Sequence, residues 1–442
     1  MEIVFTEIKT QSLKLIETVQ KQSPLLARFF SGQVVIQFLN LLNGFLLLRW
    51  LSIENVAIFS MLFGIQTLMN SMSDLGFSGS IIALTGNRYS HKKILGGYIS
   101  SAKQLRRIFF LIIILIMAGL APFLLKNNFE NNTFAWLGFI PVVASVYWQA
   151  DCSIYASPLI IHKQLKAYYK PQILTSVLRI LINYILYLTN VISALSVLII
   201  NALVILYMGK QNKKNASNYF EENIKAKETK REMLRYLAPI MPSNIFNSFF
   251  GQIQIFIIAY FGSITNIAEV GALGRLSQLF LLLSAFNMMI VEPAIAKTGQ
   301  NSLFKKYIFI AIAALFISFF IIWSAYSFPD IYLWVLGNKY SHLDKQLVWL
   351  IAAAGVNFLS TTIWTMSSAR KWVFWWGTAF YITTVILCQL CGILTFNLAT
   401  TTGVLQLSLL TAIGILIVQL SITIVGFQKE KRLHQNLSFQ KI

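Results

Sequence analysis

Two amide-rich stretches and two arginines carry the chemical interest of this sequence. Gln33, Gln37, Asn40 and Asn43 recur at i, i+4, i+7 and i+10, which stacks four carboxamides on one helical face. Asn247, Gly251 and Gln254 repeat that spacing, with Asn244, Ser248 and Gln252 beside them. Both stretches are otherwise apolar. A polar stripe cannot face lipid cheaply, so each faces a partner helix or a wet cavity. Interhelical hydrogen bonding accounts for one or two amides; this many favour a cavity wall. Arg179 and Arg275 lie deep in apolar segments, where a charge costs about 2.5–3.5 kcal/mol even on lenient insertion scales. In a water-filled cavity a guanidinium offers a fork of donors to phosphate or carboxylate. Asp74, Asp151, Glu269 and Glu292 lie nearer the ends of their segments. Pairing or capping is the first expectation for Asp74, Glu269 and Glu292, and all four are candidates for ion coupling or gating.

The elements that must position these groups are membrane spans. Twelve apolar segments fall at 28–50, 54–84, 108–126, 134–157, 172–190, 191–208, 236–262, 268–297, 307–327, 346–368, 374–397 and 404–426. Each approaches the roughly 20 residues that cross a hydrocarbon core. Thirty of the 36 Lys and Arg residues fall on one side of this pattern. Short loops rich in such residues stay in the cytoplasm, so both termini are expected there, which needs an even number of crossings. Residues 1–24 form a polar amphipathic stretch without a cleavable signal, leaving the first span as the insertion signal.

Composition agrees. Hydrophobic residues are 56% of the chain and charged residues 12%, about half the charged share of a soluble domain. The net charge of +20 is loop charge that anionic lipid headgroups explain, and no basic-aromatic groove suggests nucleic acid. Cys388 and Cys391 form C-x-x-C inside an apolar span, and with Cys152 they read as small polarizable packing residues. The four histidines are scattered, and no zinc, P-loop or nucleophile-elbow motif occurs. An enzyme would have to be an unusual membrane glycosyltransferase or polymerase. The expectation is a transporter with no cofactor and no metal.

The long polar segment 209–235 divides the chain into two six-span halves, 1–208 and 236–442, joined by a cytoplasmic linker loop. Halves that both start in the cytoplasm suggest a parallel repeat. At an offset of 214 residues, Gln33 aligns with Asn247, Gln37 with Gly251, Asn40 with Gln254 and Glu54 with Ala268.

At this point the residues resemble a family, the multidrug/oligosaccharidyl-lipid/polysaccharide exporter superfamily, and within it the O-antigen and capsule repeat-unit flippases. Asp74-Leu75-Gly76 looks like the first-half D-L-G element, and Pro239 to Phe246 looks like the opening of the second half. Ala268 to Ala272 followed by Gly274-Arg275-Leu276 is similar to the A-E-x-G-A stretch. Pro329 with Leu336-Gly337-Asn338-Lys339-Tyr340 resembles the segment before the tenth span. The resemblance implies an all-α polytopic membrane protein of about twelve transmembrane helices, a toxin-extrusion-like bundle with a central cavity. It implies alternating access, with an undecaprenyl-pyrophosphate-linked oligosaccharide moved across the bacterial inner membrane for O-antigen (lipopolysaccharide), capsule or exopolysaccharide assembly. Arg275 and Arg179 would then take the pyrophosphate or an acidic sugar, and Gln33, Gln37, Asn40, Asn247 and Gln254 the glycan. Implied partners are membrane lipids, a polysaccharide polymerase and a chain-length regulator. H⁺ or Na⁺ coupling is open. A multidrug exporter and a lipid II flippase are the alternatives; an exporter of cationic drugs would want acids in its cavity.

Overall fold

The computed structural model describes residues 32–439 except 89, 130–132, 223–226, 281–282, 284–286, 288–290 and 297. The amphipathic stretch 1–24, the first residues of span 1 and part of the eighth expected span lie outside the described residues. Among the described residues every regular element is a helix. The first half holds α1 (Gly32–Trp50), α2 (Ile53–Asp74), α3 (Phe77–Thr85), α4 (Lys92–Phe129), α5 (Phe139–Ile161), α6 (Leu165–Leu188) and α7 (Ala194–Ala216). The second holds α8 (Lys227–Leu237), α9 (Met241–Phe250), α10 (Ile253–Phe261), α11 (Ile264–Ser277), α12 (Gln300–Ser327), α13 (Pro329–Leu336), α14 (Asp344–Ala369), α15 (Trp375–Thr395) and α16 (Thr401–Phe439). Eight helices, with α2 and α3 taken together, are long and apolar enough to cross a membrane, and the bent pair α9–α10 makes a ninth. The other three expected spans fall on α4, α5 and the region opened by α11.

Membrane burial explains surfaces that water would not tolerate. On α12, Phe309, Phe316 and Phe319 are all more than 60% exposed, a lipid-facing band in a helix with few buried residues. Trp334 and Tyr326 at one end and Trp375 at the other stand at the levels where amphipathic rings prefer the headgroups. The chain is a multi-pass membrane protein.

Caps reveal the internal repeat more sharply than the amide spacing does. Ser52 caps α2 by accepting from the Asn55 amide, and Ser263 caps α11 by accepting from that of Asn266. Each asparagine then bridges to the start of the last span of its half. Asn55 Oδ1 accepts from Ala194 N at 2.8 Å, and Asn266 Nδ2 donates to the Ala399 carbonyl at 2.5 Å. The shared pattern is Ser-Ile-x-Asn, at an offset of 211 residues. The expected offset of 214 is therefore out of register at this point.

Three further differences concern boundaries. Helix α4 begins at Lys92, a full four turns before the expected 108, so its cationic start is helical. Helix α7 runs on to Ala216. The segment expected as a linker loop also contains α8, an amphipathic helix that buries Met233 and Leu237 against α3 and α4.

The main core joins the halves at the end opposite the loop cations. Met61, Leu62 and Ile65 of α2 pack with Leu273 and Leu276 of α11, and the crossing is so close that a Cβ on Gly271 would lie 2.1 Å from Ser60 Oγ. At the same end Arg49 donates to the Trp334 carbonyl and lies over its ring, while Lys339 Nζ donates to the Leu51 carbonyl at 2.7 Å. Burial lowers the Lys339 pKa below its ordinary value.

Candidate functional site

Helices α1, α2, α6, α7 and α11 enclose a cavity of about 330 Å³ in the first half, and both deep arginines line it. Helix α1 contributes Gln37 and Asn40 from the predicted amide face. The fourth amide, Asn43, also lines the cavity; it is largely buried and accepts from Asn183 Nδ2 at 3.1 Å, so it ties α1 to α6. Gln33 is half-buried and lies outside the lining of this cavity. Arg275 reaches in from the other half. Its guanidinium lies 4.8 Å from the Phe63 ring centre and 5.4 Å from that of Phe59, a cation–π arrangement that orients the fork. Gly44 lies alongside, where a Cβ would meet Arg275 Cδ at 3.4 Å, an ordinary contact distance. Arg179 Nε is buried and has no hydrogen-bond partner among the described residues. Among the described residues no Asp or Glu lines the cavity. Guanidinium forks in such a cavity can pair with the oxygens of an anion.

Asn247 and Gln254 do not join Gln37 and Asn40. The expectation of equivalent amide faces fails because the seventh span is broken: α9 and α10 meet at a 44° bend at Gly251 and Gln252. Asn247 lines two spaces, a vestibule of about 540 Å³ between the halves and a second-half cavity of about 620 Å³. Gln254 lines a third, of about 210 Å³.

Three of the four candidate carboxylates are engaged with neighbours. Asp74 accepts from Arg106 at 2.9 Å and caps α3 by accepting from Ser78 N at 3.2 Å and Ser78 Oγ at 2.6 Å. The break it caps needs left-handed backbone at Leu75 (φ 41°) and Gly76 (φ 94°), hence the glycine. Asp151 pairs with Lys103 at 3.4 Å. Glu269 is 8% exposed and bonds His342 at 2.9 Å and Thr401 at 2.5 Å. Glu292 is half-buried at the start of the short helix Glu292–Ala296.

Arg106 was missed by sequence reasoning, which counted it among loop cations. It is 2% exposed and also donates to Asn70 at 2.7 Å, Ser78 at 3.0 Å and Ser153 at 2.8 Å, binding α2, α3, α4 and α5 together. Its neighbour Arg107 looks the same in sequence; only the apolar run beginning at Ile108 hints that the helix is already turning inward. Among the described residues no group of His, Cys, Asp and Glu could hold a metal ion.

This fold is that of the exporter superfamily expected above. An inward-facing multidrug resistance MATE family transporter of the MOP superfamily matches with a TM-score of 0.67 at 16% identity, over 90% of this chain and 96% of that one. The lipid II flippase MurJ, in an inward closed conformation, matches at 0.66 and 15% identity, over 91% and 89%. The Vibrio cholerae MATE transporter VcmN, in its bent form, matches at 0.54 and 15%, over 93% and 98%. No curated relative matches the chain in sequence. The model of the polysaccharide biosynthesis protein family matches residues 27–299, and the chain belongs to that family.

Proposed function

We propose that this protein flips a polyprenyl-pyrophosphate-linked oligosaccharide across the bacterial cytoplasmic membrane by alternating access, for O-antigen, capsule or exopolysaccharide assembly. The observation that carries the proposal is the presence of Arg179 and Arg275 in one amide-lined cavity that no carboxylate among the described residues neutralises. A pyrophosphate supplies the missing charge, and its oxygens can accept bidentately from each fork. The same absence of acids speaks against a cationic drug as cargo.

The bundle supplies the two-state element that such a cycle needs. With the cation-rich end cytoplasmic, the halves are packed together on the outer side through α2 and α11, while a vestibule opens between them on the inner side. Cargo enters there and differential affinity drives the switch. Energy comes from an ion gradient, with Asp74 and Asp151 as candidate carriers, or from consumption of cargo by a polymerase and its chain-length regulator.

Deleting the gene in its host, then extracting lipids and assaying surface polysaccharide, tests the reading. The expected result is lost surface polymer with accumulated polyprenyl-pyrophosphate glycan, both reversed by the intact gene. Normal polymer with new sensitivity to cationic dyes would replace it with drug export, and accumulation of lipid II with the peptidoglycan precursor as cargo.

A further inference from the structure

We infer that the cargo is divided between two cavities: its pyrophosphate on Arg179 and Arg275 in the first-half cavity, and an uncharged sugar of its glycan in the second-half cavity walled by Trp364, Tyr381 and Gln419. The inference rests on the flippase reading and names a subsite that reading leaves open.

The two cavities differ in kind. None of the residues lining the second-half cavity is Asp, Glu, Lys, Arg or His, although it is nearly twice the volume of the arginine cavity. Its polar groups are amides and hydroxyls, interspersed with aromatic rings. Such a wall gives an anion nothing to pair with, while neutral hydroxyls can be matched group by group. Trp364 is 40% exposed on a helix otherwise largely buried, and it faces this space. The negative face of an indole suits the polarised C–H face of a pyranose.

A second observation points to the missing hydroxyls. Gln419 is 7% exposed and its Oε1 is buried with no hydrogen-bond partner among the described residues. Gln389, in the adjoining smaller cavity, repeats the pattern: its Nε2 donates to Thr411 at 3.0 Å, while its Oε1 is left without a donor. Asn357 lines both cavities. Buried acceptors left unpaired are costly, and a ligand rich in O–H donors would satisfy them. Access is built in: Asn247 borders both this cavity and the vestibule, and Tyr381 Oη donates to its Oδ1 at 3.2 Å.

The test compares two probes on the purified full chain in nanodiscs: bare undecaprenyl pyrophosphate, and the lipid-linked glycan extracted from a host strain lacking this gene. Variants are Gln419→Leu, Trp364→Leu and Trp364→Phe, with Arg275→Ala as the control in the arginine cavity and melting temperature as the check on folding. Expected is an at least tenfold weaker affinity of Gln419→Leu and Trp364→Leu for the glycan lipid, with bare undecaprenyl pyrophosphate bound within twofold of wild type. Trp364→Phe should recover most of the loss, whereas Arg275→Ala should weaken both probes. Folded second-half variants that bind both probes as wild type does, or lose both equally, overturn the division of cargo and leave the flippase reading standing. A wild-type protein that binds neither probe overturns the flippase reading, and this inference with it.

Discussion

Asn244 Nδ2 donates to the backbone carbonyl of Leu75 across 3.1 Å, a hydrogen bond that joins α9 of the second half to the break between α2 and α3 of the first. It closes part of the cation-rich end, at the mouth of the vestibule that both residues line. A neutral hydrogen bond is worth about 1 kcal/mol net, so losing it shifts a two-state equilibrium by about fivefold. With a cysteine at Ser71 in a background lacking the three native cysteines, Asn244→Ala should speed labelling by a membrane-impermeant maleimide from the cytoplasmic side by about that factor. An unchanged rate would mean that this bond does not hold the end shut.

Arg106 and Asp74 set the opposite kind of prediction. Arg106→Leu leaves Asp74, Asn70 and Ser153 without their shared donor. Breaking a buried pair costs about 3–5 kcal/mol, and the 27% exposure of the Asp74 side chain places this one near the lower figure. The melting temperature in detergent should fall by several degrees. Arg106→Lys should recover only part, because one ammonium cannot reach the same set of acceptors as a planar fork.

The helices and the two deep arginines were legible in the sequence, for a physical reason, while the orientation that the loop cations imply stays an expectation. In lipid every backbone group must be satisfied within the segment, so apolar length fixes the helices. Arg179 and Arg275 stand out because a membrane makes a charge conspicuous. What the sequence hid depends on contacts made across the chain. The bend at Gly251 and Gln252 sends Asn247 and Gln254 to separate cavities, and nothing in their spacing announces it. Arg106 lies at the water-facing start of a long helix, where a cation is ordinary until the neighbouring helices bury it. The Ser-Ile-x-Asn repeat was visible, but its meaning lies in the bonds of Asn55 to Ala194 and Asn266 to Ala399.

Helix α8 is fastened to α4 by Tyr98, whose Oη donates to Glu232 Oε2 at 2.6 Å, and by the Ser101–Thr229 pair at 2.8 Å. Burial first, and the Glu232 carboxylate second, raise the Tyr98 hydroxyl pKa above its ordinary value of about 10. A raised folded-state pKa means the contribution is complete below the unfolded value and fades as pH climbs through the folded one. The docking should therefore hold from neutral pH to about 10 and loosen only above. Tyr98→Phe should loosen it at neutral pH, seen as faster hydrogen exchange in residues 227–237, at a cost of about 1 kcal/mol.

At the opposite end, Gly271 and Ser60 meet where α2 and α11 pack tightly. A methyl group at Gly271 would sit 2.5 Å from Ser60 Cβ, which no rotamer of the serine relieves. Gly271→Ala should destabilise the closed outer side by about 1–3 kcal/mol, the usual cost of overpacking. Ser60→Gly added to it should restore most of the loss, a coupling that thermal melts of the four proteins in a double-mutant cycle would measure. Additive effects would show that the helices separate freely and that the contact does not govern closure.

Arg275 differs from Arg106 in having no acid to leave behind. Among the described residues its cavity holds no carboxylate, so replacing it removes an uncompensated charge rather than breaking a pair. Arg275→Met, which keeps the apolar reach beside Phe59 and Phe63, should leave the melting temperature unchanged or raise it. If the guanidinium binds cargo phosphate, the same substitution forfeits charge-assisted hydrogen bonds worth about 1.5–3 kcal/mol each, a loss of roughly tenfold to hundredfold in affinity per bond. Arg275→Ala and Arg275→Met, inserted at wild-type level, should then abolish surface polymer. Arg275→Lys should restore a fraction of it, because the charge survives and the bidentate geometry does not. Normal polymer from a stable Arg275→Met protein would remove this residue from the cargo site. Polymer lost only together with stability would make it a packing residue.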